Sequence, residues 1–215
     1  MMTFDCEDEL EKVAAAFPAA QMLLRIRADD FTSELPFGDK FGVDAKQQAP
    51  ALLQAAARLG VHVAGVAFHV GSASHSPAVF RYGISQARHA FDVALSYGLR
   101  LHVLDIGGGF WSRLDETGVD SIFDAGDAVN DALAEYFPAA AWPELQVIAE
   151  PGRYFAESCA THFALVHTVK RHLGGTWQYY LTDGAKRSCW HAFVLTIALR
   201  DTFGSRLSGF DHAHS

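Results

Sequence analysis

Three short motifs carry the residue types that chemistry needs. His69-Val70-Gly71-Ser72 joins an imidazole to a glycine and a hydroxyl. Asp105-Ile106-Gly107-Gly108-Gly109-Phe110 is an acidic residue leading into a run of glycines. Glu150-Pro151-Gly152-Arg153-Tyr154-Phe155 sets a carboxylate just ahead of a guanidinium. Successive glycines let backbone N–H groups approach an anion closely, and glycine accepts positive φ without penalty. Arg153 offers a planar fork suited to phosphate oxygens, Gly152 a further free amide and Ser72 a hydroxyl donor. Glu150 can pair with the protonated nitrogen of a heterocycle, and the His69 ring can stack on a flat one.

Taken singly, each motif also fits a plainer role. The glycine run can be a tight strand-to-helix turn, the Glu150 and Arg153 pair a solvated surface turn, and His69 a core histidine. The glycines are not the dinucleotide pattern G-x-G-x-x-G, because Phe110 and Trp111 follow them. Together the motifs ask for one ligand that is flat, heteroaromatic, phosphorylated and protonated on its ring nitrogen. Pyridoxal phosphate has those properties, and the Glu150 carboxylate would keep its pyridine nitrogen protonated so that the ring acts as an electron sink. The remaining histidines form no H-x-x-x-H or H-E-x-x-H pair, so no metal site is expected, and no G-x-S-x-G nucleophile elbow is present.

Each motif follows an apolar run, and in α/β folds sites are built at the carboxyl ends of strands. The spacing predicts strands over Gln21 to Ile26, Val61 to Val70, Leu101 to Ile106 and Leu145 to Ala149, with one more over His162 to Lys170. Between them lie helical patterns over Gln48 to Leu59, closed by Gly60, over Pro77 to Tyr97, closed by Gly98, and over Phe123 to Phe137. This alternation argues for parallel strands with crossover helices, and it fits a doubly wound sheet and a (β/α) barrel equally.

The 215 residues are half apolar and one-fifth charged, with a formal charge of −8. The acidic balance argues against non-specific binding to nucleic acid or to an anionic membrane. Cys6, Cys159 and Cys189 are isolated, which fits a reducing compartment. The start MMTFDCEDEL has no basic region and no apolar core of a secretory signal, and no apolar run is long enough to span a membrane. A cytoplasmic protein is expected.

The stretches MTFDCEDEL, LLRIRADD, KFGVD, GVAFHVGSAS, LDIGGGF, AEPGRYF and YYLTDG occur in one order between Met2 and Gly184. In that order they resemble the ornithine/diaminopimelate/arginine decarboxylase family, which shares the alanine-racemase-type barrel. The Phe of DIGGGF and the aromatic pair after EPGR favour its ornithine branch. The resemblance implies an α/β fold, a partial (β/α)8 barrel over 2–184, followed by a divergent tail, 185–215, without assignment. It implies pyridoxal phosphate as cofactor and decarboxylation of a basic amino acid, L-ornithine to putrescine, in polyamine synthesis. Alternatives are a diaminopimelate or arginine decarboxylase and a non-catalytic regulatory homologue that resembles the antizyme inhibitors.

Carried over by residue, the resemblance makes His69 and Glu150 the catalytic residues, with His69 stacked on the cofactor ring and Glu150 on its nitrogen. Ser72, Gly107, Gly108, Gly109, Gly152 and Arg153 would bind the phosphate. Arg25, Lys40 and Asp105 match charged positions lining the pocket. The family forms homodimers. Its Schiff-base lysine is expected upstream of residue 1, and its Cys-Asp motif on a C-terminal β-domain missing from this chain. Lys12, Lys40, Lys46, Lys170 and Lys186 do not lie in that lysine's context. The expectation is therefore an open barrel without activity of its own.

Overall fold

A computed structural model describes residues 1–28, 37–72, 74, 76–110, 121–156, 163–173, 175 and 177–182. The chain divides into two units, Met1–Ala160 and Thr161–Ser215.

In the first unit, β-branched and leucine-rich runs form five short strands: β1 (Met2–Phe4), β2 (Gln21–Arg25), β3 (His62–Ala67), β4 (Val103–Asp105) and β5 (Gln146–Ile148). All are parallel, and their order in the sheet is their order in the chain. The crossovers are α1 (Glu7–Ala16), α2 (Ala49–Leu59), α3 (Ala78–Ser96) and α4 (Ser121–Tyr136). Acidic residues Glu7, Asp8 and Glu9 favour the N-terminus of α1. Gly60 ends α2 in the left-handed conformation at φ 68°.

The strand order settles the choice that the sequence leaves open. A doubly wound sheet reverses its strand order at a switch point and so carries helices on both faces. Here the order never reverses, and right-handed crossovers put every helix on one face. The cores agree. Met22, Leu24 and Ile26 of the β2 segment, Val63, Val66 and Phe68 of the β3 segment, and Leu104 and Ile106 of the β4 segment pack with Leu10, Leu53, Phe80, Ile84, Phe91 and Val129 of the helices. The alternate residues Leu23, Ala64, Ala67 and Val103 form a small separate cluster on the other face, joined by Ile148. One-sided winding of this kind is a segment of a (β/α)8 barrel, with the helix-free face on the barrel's interior.

The structure departs from the expectation at both ends of the chain's element order. β1 and α1 precede the first strand foreseen from the sequence. Three residues, Met2–Phe4, are too few to display an alternation. The strand expected over His162 to Lys170 occupies Val166–Arg171 as β6, in the second unit. It pairs antiparallel with β7 (Trp177–Leu181) in a two-stranded sheet of its own, and is not a further parallel barrel strand. Its burial is low along most of its length, as fits a hairpin and not a doubly covered parallel strand. The proposed boundary at 184 and the tail 185–215 lie outside the described residues. No helix among the described residues is long and apolar enough to cross a membrane.

Candidate functional site

Side chains alternate across a strand, so residues two apart share a face. The register aligns Arg25 with Ala67, Ala67 with Asp105, and Asp105 with Ile148. That row lies on the helix-free face at the carboxyl end of the sheet. One step further along the same face come His69, Gly107 and Glu150. Four polar side chains from four separate segments, Arg25, His69, Asp105 and Glu150, are thereby gathered at one end of the sheet, as the sequence motifs require.

The loops after the strands continue the parallel ladder and then lock together. Phe68 N–H donates to the Asp105 carbonyl at 3.0 Å, Ile106 N–H to the Ile148 carbonyl at 2.9 Å, and Glu150 N–H to the Gly107 carbonyl at 2.8 Å. Ser74 N–H donates to the Gly109 carbonyl at 3.0 Å and joins the first two motif loops. β3 ends at Ala67, three residues short of the expected Val70, because the backbone then turns and Gly71 N–H donates to His69 Nδ1 at 3.1 Å.

The glycine run is required by this packing. Gly107 has φ +64°, and a Cβ there would sit 2.1 Å from the Phe68 carbonyl oxygen. A Cβ on Gly108 would sit 2.7 Å from the Glu150 carbonyl oxygen and 2.8 Å from His69 Nε2. The three motif loops therefore meet around Gly108, backbone against backbone. Such a cradle presents amides where side chains would stand, which suits a phosphate.

Electrostatics tie the four side chains into one group. Asp105 is the one buried charged or polar residue among those described, 8% exposed. Burial pushes its carboxyl up, while the Gly107 N–H on its Oδ1 at 2.9 Å and the Arg25 charge pull it down. Burial also raises the Glu150 carboxyl, the neighbouring Asp105 raises it further, and Arg25 opposes both. Burial, with Arg25 as the lesser cause, lowers His69 to about 4, so its imidazole is neutral at pH 7. A cationic ring nitrogen beside Glu150 would offset the strain between the two carboxylates.

The other expected residues are placed less centrally. Ser72 is half-buried in the loop after Gly71. Gly152, at φ +38°, stands before the short helix α5 (Arg153–Ala156). The Arg153 side chain lies outside the described residues. Lys40 is exposed, its ammonium 5.0 Å from the centre of the Phe41 ring. Two neighbours escaped the reading of single motifs: Phe37, whose ring centre lies 4.8 Å from that of His69, and Phe41, whose ring lies 4.6 Å from the Arg25 guanidinium. Phe41 is within KFGVD, but Phe37 carries no local signal beyond being an aromatic residue after a proline. No group of metal-ligating side chains large enough to hold an ion occurs among the described residues.

Residues 1–157 match the family model described as pyridoxal-dependent decarboxylase, pyridoxal binding domain. The chain is similar to the ornithine decarboxylase of Panagrellus redivivus, with 45% identity over 159 residues, 72% of this chain and 35% of that protein. It is 42% identical over 158 residues to antizyme inhibitor 2 of Xenopus laevis, covering 74% of this chain and 34% of that one. Among solved structures, the arginine decarboxylase of Paramecium bursaria Chlorella virus gives a TM-score of 0.73 at 32% identity, covering 89% of this chain and 50% of that one. The chain spans about a third of the length of these two curated relatives.

Proposed function

The chain belongs to the pyridoxal-dependent decarboxylases, and from that premise we propose that it binds pyridoxal phosphate at the carboxyl ends of β2 to β5 and serves the decarboxylation of L-ornithine to putrescine. The observation that carries the reading is the convergence of His69, the Gly107 to Gly109 loop and Glu150 from three separate segments onto one end of one sheet face. When bound, pyridoxal phosphate supplies a protonated ring that accepts the electron pair left behind by CO2.

The residues then divide the work. Glu150 would hold the proton on the ring nitrogen, and that cation would oppose the upward push that burial and Asp105 give its carboxyl. His69, neutral at pH 7, lays an uncharged flat ring against the ligand and brings no like charge to it. The amide of Gly107 is already given to Asp105 Oδ1, so Gly108 and Gly109 are the loop amides for the phosphate. Ser72, Gly152 and Arg153 complete that end. Arg25 balances the two carboxylates, and Lys40 contributes a charge at the rim. A homodimer and a cytoplasmic location are part of the same reading by resemblance.

The test has two arms. Pyridoxal phosphate is titrated into the full chain and followed by tryptophan fluorescence, with Glu150→Gln and inorganic phosphate as controls. Saturable binding weakened by the substitution and competed by phosphate is expected, and its absence overturns the site. The chain alone is expected to release no CO2, so binding of L-ornithine, L-lysine, L-arginine and diaminopimelate to the cofactor-loaded chain is then compared, and preference for another acid overturns the substrate. The similarity to antizyme inhibitor 2 gives the second reading, in which the fold serves regulation; saturable binding of an antizyme by the full chain would favour it.

A further inference from the structure

The segment from Phe37 to Val43 returns to the carboxyl end of the sheet and is tied there at two strands. Val43 bridges to Ile26 in parallel. Its N–H donates to the Arg25 carbonyl at 2.9 Å and its carbonyl accepts from Arg27 N–H at 2.9 Å. One residue earlier, Gly42 N–H donates to the carboxylate of Asp5, immediately after β1, at 2.8 Å. Gly42 has φ +79°, and a Cβ on it would lie 2.8 Å from the Ile26 carbonyl carbon, so the strap runs tight against β2.

From that anchorage the strap lays two aromatic rings on the site. Phe41 lies beneath Arg25, and Phe37 lies against His69 with the ring planes 50° apart. The two phenyl rings meet edge to face, 5.6 Å between centres. His69 is thus held from three sides. Phe37 packs its ring, Gly71 N–H occupies Nδ1, and Gly108 passes close to Nε2. With Nδ1 accepting from an amide, the single proton of the neutral ring sits on Nε2.

We propose that Phe37 is a positioning residue for His69, fixing the plane of the imidazole, and that Asp5 holds Phe37 in place through Gly42. No contact of Phe37 or Asp5 with the reacting atoms is involved. The consequence for ligand binding rests on the cofactor reading above, whereas the effect on His69 does not.

The experiment uses the full chain with 15N-labelled histidine. In the unsubstituted protein, His69 should show one pyridine-type nitrogen, Nδ1, and one protonated Nε2, with ring protons displaced by the Phe37 ring current. In Phe37→Ala that displacement should vanish and the two nitrogen signals should move toward the average of both tautomers. Phe37→Tyr should restore both. Asp5→Ala should act as Phe37→Ala does, in the same direction, and Asp5→Asn, which keeps an acceptor for Gly42 N–H, should not. Amide signals of β4 and α3 serve as the check that each variant is folded. Pyridoxal phosphate binding should weaken about threefold to tenfold in Phe37→Ala, the scale of one aromatic pair. An unchanged His69 spectrum in folded Phe37→Ala overturns the proposal, and so does a tautomer mixture in the unsubstituted protein. If Asp5→Ala leaves His69 unaltered, Asp5 has no part in it. If the tautomer responds as stated but the unsubstituted chain binds no pyridoxal phosphate, the cofactor reading fails and the positioning role stands.

Discussion

The two faces of the parallel sheet are made from the same strands and do opposite work. On the helix side, Met22, Leu24, Val66, Phe68 and Leu104 are apolar, sealed by four helices and continuous with one large core. On the other side, Leu23, Ala64, Ala67 and Val103 make a thin apolar floor, which gives way at the carboxyl end to Arg25, His69, Asp105 and Glu150. The period of two separates the packed core from the candidate site at single-residue resolution. Phe68 and His69 are adjacent in the chain, yet one is a core residue and the other belongs to the candidate site. The apolar face can therefore be optimised for packing while the polar face holds charges at a cost in stability, which is visible in the raised carboxyls of Asp105 and Glu150.

The largest effect expected from this division falls on Phe68. It is 1% exposed and packs against Gly83 of α3. Phe68→Ala should cost about 4 kcal/mol in urea unfolding. His69→Ala, one residue on, should cost less than about 1 kcal/mol and yet remove most of the affinity for pyridoxal phosphate. If the two substitutions cost the same stability, the separation of faces is wrong.

Gly107 is where the two faces meet, since its missing side chain admits the Phe68 carbonyl. Gly107→Ala should destabilise by about 2–3 kcal/mol and weaken cofactor binding as well, because it forces the β3 and β4 loops apart. Thermal unfolding and a binding titration on one sample would show whether the losses travel together.

A comparable effect, about 3 kcal/mol, is expected from acid. His69 titrates near 6.5 when unfolded and about 4 when folded. Between these values the unfolded chain binds the extra proton, so this contribution is complete above pH 6.5 and is lost as pH falls toward 4. Asp105 and Glu150 act in the opposite sense, their raised folded values favouring the protonated form. The clean observable is the difference in stability between the parent and His69→Ala, measured across that range. A flat difference would mean that the imidazole is not held neutral by the fold.

The smallest effect belongs to Asp105→Asn, expected to change stability by less than about 1 kcal/mol, because the amide oxygen can still accept from Gly107 N–H. Its signature is remote. The Glu150 carboxyl should titrate lower once the neighbouring charge is gone, and carbon NMR of labelled glutamate would detect it. No movement would show that the two carboxylates do not sense each other.

The motifs that converge at the candidate site were legible in the sequence because their residue types are local requirements. Only glycine fits at Gly107, with φ +64° and a carbonyl 2.1 Å from the place of a Cβ, and a D-I-G-G-G run announces such a turn. The apolar runs from Gln21 and Val61 likewise declared strands, and Gly60 declared a helix end. Other features depend on which distant segments pair, which no local pattern records. Barrel curvature over double winding was decided by the unbroken order β1 to β5, a property of the whole sheet. The antiparallel turn of β6 onto β7 came from pairing, since its composition alone allowed either direction. Phe37 meets His69 because its segment is tied to β2 through Val43 and to Asp5 through Gly42. The assignment of the Gly107 amide to Asp105 and of Nδ1 to Gly71 N–H was likewise set by tertiary structure, since hydrogen-bond partners are fixed by angles and distances that form only once the strands are in register.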